Sequence, residues 1–479
     1  VLASLLTGLL TACAGLSSPT PQAAVTPAGW HTPLPHDGDA RALRDWWSRF
    51  DDPLLAELVQ AADRSSPTLA QALARVTQAR ANARIAGARL APVFDGSASL
   101  ARSRNELPPP ALLGTQLGVG LDARWEWDLF GANRQALAAA ERRAEASRLQ
   151  WHDARVSLAA EVANSYLALR ACEALVAVYQ QSAQSQGATA ELTRAKVQVG
   201  FESPANGALA DASQAEAANR LTAQRAECDV GVQGLVLLTG VDTPSLLARL
   251  QPATGRLPSA APFAVDAVPA RVLAQRPDVA AAARTLQAAA ADIGFAEAAR
   301  YPSISLGGSI TLVGGRAQGV SATGVNWSFG PSLSLPLFDQ GRIEGGVDAA
   351  RGRYDEARAG FELQARQAVR EVEEALLRLA AARSRVGDAE RAARGYRSYF
   401  DAAQTRWGVG AGSLIEMEDA RRFALNAEAA LVGVQRERVA AWVALYKAAG
   451  GGWEGAAATE ATPAHSTATA AVPPAAVSR

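Results

Sequence analysis

Residues 117–128 read LGVGLDARWEWD, an unbroken two-residue alternation. Leu117, Val119, Leu121, Ala123, Trp125 and Trp127 share one parity; Gly118, Gly120, Asp122, Arg124, Glu126 and Asp128 share the other. Successive side chains of a strand point to opposite faces, so the pattern predicts an apolar surface backed by a charged one. Three further segments, 93–102, 302–312 and 325–335, have the same alternation, with Ile304, Leu306, Ile310 and Leu312, or Trp327, Phe329 and Leu333, opposite Ser and Gly. A lipid-facing barrel strand needs about 9–11 residues, apolar outside and polar inside. Periodicity alone fits four strands of a soluble sheet better. The rest of the chain overturns that reading.

The chain has 479 residues, enough for about three ordinary domains or one very elongated assembly. Its 47 Lys and Arg balance 47 Asp and Glu, and only Lys196 and Lys447 are lysines. Zero net charge gives no electrostatic case for nucleic acid. The longest apolar run, 1–12, is shorter than the roughly 17 residues a spanning helix requires. Leu10-Thr11-Ala12-Cys13 has the small residues before a cysteine that end a bacterial lipoprotein signal, although the basic start of such a signal is missing. Residues 1–12 are therefore expected to be a signal, Cys13 the lipid-bearing mature N-terminus, and 13–43, rich in Pro, Ser, Thr and Ala, an extended tether. The Ala-, Thr- and Pro-rich tail 454–479 is expected to be disordered.

Setting Cys13 aside leaves Cys172 and Cys228 in an oxidising periplasm. They can pair only if both face the seam of one helical hairpin; two unpaired, half-buried cysteines are the default. No phosphate-cradling glycine loop, His-Glu-x-x-His or Cys-x-x-Cys is present, and His31, His36, His152 and His465 are scattered. No catalysis, metal or cofactor is expected beyond the lipid on Cys13.

The sequence repeats at an offset of about 210 residues. Ser66-Pro67-Thr68-Leu69 matches Arg276-Pro277-Asp278-Val279, Asp128-Leu129-Phe130-Gly131 parallels Pro336-Leu337-Phe338-Asp339, and Val199-Gly200-x-x-Ser203 parallels Val409-Gly410-x-x-Ser413. The halves, 44–275 and 276–453, each read helix, strand, strand, long helix, helix. Segments 133–199 and 342–409 contain no proline and few glycines; at about 1.5 Å per residue each would reach on the order of 100 Å. Leu425, Val432, Val439 and Tyr446 recur every seventh residue, a coiled-coil seam.

Four strands cannot close a barrel, since the smallest have about eight, and open sheet edges in lipid leave N–H and C=O groups without partners. Strands must be pooled between copies. Three copies would give twelve strands and a ring of helical hairpins; two would give eight, with an interior filled by side chains.

At this point the chain resembles the outer-membrane factors, the TolC-like channel proteins, and among them the OprM/NodT-type lipoproteins. The resemblance is carried by Cys13, Trp46-Trp47-Ser48-Arg49-Phe50-Asp51-Asp52-Pro53, Trp125-Glu126-Trp127-Asp128-Leu129-Phe130-Gly131, Gln275-Arg276-Pro277-Asp278, Tyr301-Pro302-Ser303-Ile304-Ser305-Leu306 and the block Leu445 to Trp453. It implies a mixed α/β membrane protein: a homotrimer with a 12-stranded barrel in the outer membrane and a periplasmic α-barrel of long antiparallel hairpins. It implies a passive exit duct of a tripartite efflux pump, docked to a periplasmic adaptor (membrane fusion protein) and an inner-membrane transporter, usually of the resistance–nodulation–division (RND) class. Alternatives are the outer-membrane component of a type I protein secretion system, or a non-conducting structural lipoprotein.

The resemblance also assigns residues. Ile415, Asp419 and Arg422 match the apolar ring, acidic ring and helix-holding arginine of a periplasmic gate. The repeat places Ala205, Asn206 and Leu209 at the corresponding positions, and with Asn206 in place of an acid the constriction is expected to form mainly from the second hairpin. Val199, Gly200, Ser203, Val409, Gly410 and Ser413 match tips that adaptors contact. Trp125 and Trp127 are expected at the periplasmic membrane interface and Trp327 at the outer one, where amphipathic rings favour the headgroup region. Segments 102–116 and 314–324 are then the outer loops.

Overall fold

The computed structural model describes residues 26–34, 43, 46–105, 112–260, 262–263, 265, 269–317 and 320–453. Cys13 and the expected signal, most of the expected tether, the proline-rich stretch 106–111 and the tail 454–479 lie outside the described residues. The elements are α1 (Pro53–Ser65), α2 (Pro67–Ala88), β1 (Val93–Asn105), β2 (Leu112–Trp127), α3 (Ala132–Gln198), α4 (Pro204–Thr239), α5 (Thr243–Leu250), α6 (Pro269–Ala274), α7 (Pro277–Ala298), β3 (Ser303–Ala317), β4 (Val320–Ser334), α8 (Arg342–Gly408) and α9 (Leu414–Ala448). Helix, strand, strand, long helix, helix occurs twice, and α3 and α8 are each 67 residues long.

Both long helices begin the same way. A glycine in the left-handed region precedes each, Gly131 at φ +80° and Gly341 at φ +83°. An upstream carboxylate then accepts from the first free amides. Asp128 takes Asn133 N and Arg134 N, both at 2.9 Å, and Asp339 takes Ile343 N at 2.8 Å. The helices form a wall one element thick. Near the sheet the packing order is α2, α3, α7, α8; further away it is α4, α3, α9, α8. Alanines, among them Ala163, Ala365 and Ala368, fill the close contacts. Cys172 and Cys228 do face the α3–α4 seam, with Cα atoms 5.6 Å apart, and are disulfide-bonded rather than free.

The sheet is antiparallel, four-stranded and ordered β1-β2-β3-β4. Its register aligns the apolar parity of all strands: Leu121 faces Ile310, which faces Trp327, and Trp127 faces Ile304, which faces Leu333. The opposite face is small and polar. There Ser305 meets Ser332 at 2.7 Å, Ser309 meets Ser328 at 2.9 Å, and Arg124 pairs with Asp95 at 2.8 Å.

Two expectations are corrected here. The strands run 13 to 16 residues, so ladder pairing continues through most of 102–116 and 314–324 instead of breaking into loops. Small residues such as Gly314 and Gly324 fit the ladder as readily as a turn. Because β4 begins at Val320, Trp327 sits midway along its strand and not at the outer end. Trp127 keeps the helix-proximal end of β2, and the Trp125 indole donates to Leu90 O at 3.1 Å.

At mid-height, separate sequence blocks converge. Trp46 is fully buried, stacked on Tyr446 with centroids 4.9 Å apart and edge-on to Phe50 and Phe263. Asp52 caps α1 through Leu54 N and also accepts from the Tyr166 hydroxyl, which takes a bond from Arg170 Nε at 2.9 Å. Part of the tether docks too, His31 N and Thr32 N donating to the Glu373 carboxylate. Arg276, almost fully buried, reaches Asp278 at 2.6 Å, Glu371 at 2.7 Å and Ala448 O at 3.0 Å. The chain after Ala448 crosses this node so closely that a Cβ on Gly450 would lie 2.2 Å from Gln275 O, and Gly450 has φ +90°.

Gly450→Ala should therefore cost on the order of 3 kcal/mol, from strain and clash together. Gly395→Ala, in open space within α8, should stabilise by about 0.5–1 kcal/mol. Thermal unfolding followed by helical circular dichroism separates the two. Burial alone would raise the Asp278 carboxyl, but the hydrogen bond and charge of Arg276 outweigh it and hold its pKa below the usual range. A depressed folded value gives stability that is present at neutral pH and lost as pH falls through that value. Asp278→Asn should accordingly lower the melting temperature at pH 7, by a margin that shrinks steadily on acidification.

Candidate functional site

The end of the helical wall furthest from the sheet is built by two near-identical reversals. After α3, Gly200 takes φ +79° and Phe201 N bonds back to Lys196 O at 2.8 Å; after α8, Gly410 takes φ +77° and Ala411 N bonds back to Arg406 O at 2.8 Å. A side chain on either glycine would meet nothing within 4 Å, so the backbone conformation, not space, calls for glycine. Ser203 and Ser413 then cap the return helices, their Oγ atoms accepting from Asn206 N at 3.2 Å and Glu416 N at 3.1 Å. Val199, Phe201 and Val409 are left exposed at the tips.

The residues assigned to a gate lie on the first turns of α4 and α9. Ile415 is 59 % exposed and Leu209 partly exposed. Arg422 pairs with Asp419 at 2.6 Å, three residues back on the same helix, with both side chains about half exposed or more. Asn206 Nδ2 donates to Glu202 at 2.6 Å. Among the described residues no hydrogen bond or ion pair joins Asn206 to Asp419 or Arg422.

Among the described residues a tie between the two hairpins comes instead from Arg421, to which the resemblance assigns no role. It is 3 % exposed. One Nη bonds Glu418 at 2.6 Å, the other bonds Thr189 Oγ1 on α3 at 2.8 Å, and the guanidinium lies over the Phe400 ring of α8 at 5.2 Å. Lys196 over the Trp407 ring at 4.5 Å adds a second crossing. Beneath both lies an apolar cluster that includes Ala190, Ala210, Phe400, Trp407, Leu414 and Met417. Burial pushes the Glu418 carboxyl up, against the opposing pull of Arg421. The one sequence signal was the stripe Leu414, Met417, Arg421, Ala424: a single charge at helical spacing among apolar residues.

The fold is that of a TolC-like outer-membrane channel. Residues 58–241 and 268–451 match the outer membrane efflux protein family. The chain is 30% identical to the solvent efflux pump outer membrane protein SrpC of Pseudomonas putida, over 93% of this chain and 96% of that protein. Among solved structures, the outer-membrane channel OprN superposes with a TM-score of 0.77 at 28% identity, covering 91% of this chain and 98% of OprN. VceC of Vibrio cholerae gives 0.75 at 26%, covering 86% and 99%. This chain belongs to the outer membrane efflux protein family, and it is an outer-membrane channel protein of an efflux system.

Breaking a buried ion pair costs about 3–5 kcal/mol, and an exposed one about 0–1 kcal/mol. Arg421→Ala should therefore loosen the tip, with faster amide hydrogen exchange over 185–195 and 414–424. Arg422→Ala should leave exchange there within about fivefold of wild type.

Proposed function

We propose that the chain is one third of a homotrimeric duct, built from two tandem repeats, whose twelve pooled strands close a barrel in the outer membrane and whose hairpins close a periplasmic α-barrel. The observation that carries this reading is the sheet: four strands, one apolar face, and edges on β1 and β4 that find no strand partner among the described residues. Backbone groups on such edges have no water to bond in the hydrocarbon region, so another copy must supply the pairing. Val230 and Leu237, seven residues apart on α4, and Leu337 and Phe338 after β4 are also exposed and supply further apolar surface for a neighbouring copy.

In this reading the duct is passive and performs no chemistry, and the other two parts of a tripartite pump supply drive and selection. The tips Val199, Gly200 and Ser203, with Val409, Gly410 and Ser413, meet a periplasmic adaptor, through which an inner-membrane transporter of the RND class engages. Cys13 carries the lipid that anchors the N-terminus. Ile415 and Asp419 narrow the periplasmic mouth around the threefold axis, where three carboxylates repel when ionised, and Arg422 offsets that repulsion. Asn206 and Leu209 line the same mouth without adding charge.

Detergent-extracted protein in a planar bilayer should conduct in discrete steps, and the double substitution Asp419→Ala, Arg422→Ala should enlarge the step severalfold. A preparation of folded protein that never conducts would sink the duct. Wild-type conductance in the double variant would remove the gate while leaving the duct standing.

A further inference from the structure

On the apolar face of the sheet, aligned rows run from Trp127–Ile304–Leu333 at the helix-proximal end to Leu100–Leu117–Gly314–Thr323. From Trp127 to Leu117 β2 climbs ten residues; at about 3.4 Å per residue and a tilt of about 40° that is about 26 Å, the height of an outer-membrane apolar band. The next row outward on the same face is Arg102–Thr115–Arg316–Ser321. Arg102 and Arg316 flank Thr115 with Cα atoms about 10 Å apart, twice the usual strand spacing. Both are exposed, and neither has an ion-pair partner among the described residues. Exposed arginines without an ion pair occur elsewhere among the described residues, as at Arg75, Arg80 and Arg84 on α2; what sets Arg102 and Arg316 apart is their shared row on the lipid-facing side, just beyond the apolar band.

We propose that Arg102 and Arg316 form a lipid-facing site for the phosphate groups of an outer-leaflet phosphoglycolipid. The site rests on the proposed outer-membrane placement of the sheet, with the Asn105–Leu112 and Ala317–Val320 ends of its strands directed outward. Three features recommend this occupant. The two cations stand where the apolar band ends, which is the depth of the headgroups. They point away from the small, polar face, so transported molecules do not meet them. The guanidinium fork matches phosphate oxygens in pairs, and two forks across one strand suit a headgroup with more than one phosphate.

The test is native mass spectrometry of the full-length, detergent-extracted protein with bis-phosphorylated lipid A, its dephosphorylated form, or inorganic phosphate. Wild type should retain the phosphorylated lipid at least tenfold better than the dephosphorylated one, a comparison that needs no variant. R102Q/R316Q should lose that preference and R102K/R316K should keep part of it. Equal retention of the two lipids by wild type, or an undiminished preference in R102Q/R316Q, overturns the site. Displacement of the lipid by an equimolar amount of inorganic phosphate overturns the lipid as its occupant. Bilayer conductance of the same preparations tests the duct independently, and R102Q/R316Q should conduct as wild type does.

Discussion

Two unpaired strand edges govern this molecule. β1 and β4 each offer a row of N–H and C=O groups that no other strand among the described residues meets, and an unsatisfied group in hydrocarbon costs several kcal/mol. The four strands also gather most of their bulky apolar side chains on one face, and serine, glycine and several charges on the other, where valines such as Val93 and Val313 add apolar bulk among the described residues. In the trimer proposed above, such a sheet would have lipid on one side, water on the other, and a copy of itself along each edge. The helical wall continues the same plan below it, one element thick and four helices wide. Its core is consequently shallow, apart from the aromatic node at mid-height.

That node explains why distant sequence blocks share a fate. The Trp46-Trp47 segment, the turn at Gln275–Asp278 and the glycine run after Ala448 are far apart in sequence, yet they close on one another around Tyr446 and Arg276. Arg276 satisfies two carboxylates and a carbonyl, so its charge is compensated despite burial. The Cys172–Cys228 bond lies below, fastening α3 to α4.

Much of this was legible in the sequence because the signals were periodic. Alternation from Leu117 to Trp127 fixed which face of β2 is apolar, and the absence of proline from 133 to 199 foretold a single long helix. Strand ends were not legible. Residues such as Gly314, Gly315 and Gly324 have no side-chain signature that separates a turn from a ladder, so Trp327, expected at the rim, lies in the middle of its strand. At the tips, Gly200, Gly410 and their serine caps could be read because each residue type has a local geometric reason. Arg421 could not. Its importance comes from Thr189 and Phe400, contacts across two other helices that no local pattern encodes, while the neighbouring Arg422 has the more conspicuous i–3 partner.

The equal lengths of α3 and α8, 67 residues each, carry a consequence for how such a chain can change over generations. One residue inserted into either helix would rotate everything beyond it by about 100° and displace its tip by about 1.5 Å. Arg421 would then miss Thr189, and the two reversals would no longer end level. Neither leg can lengthen alone. A viable change must come in whole turns and on both legs together, so the depth to which this protein reaches is inherited as a coupled pair of measurements.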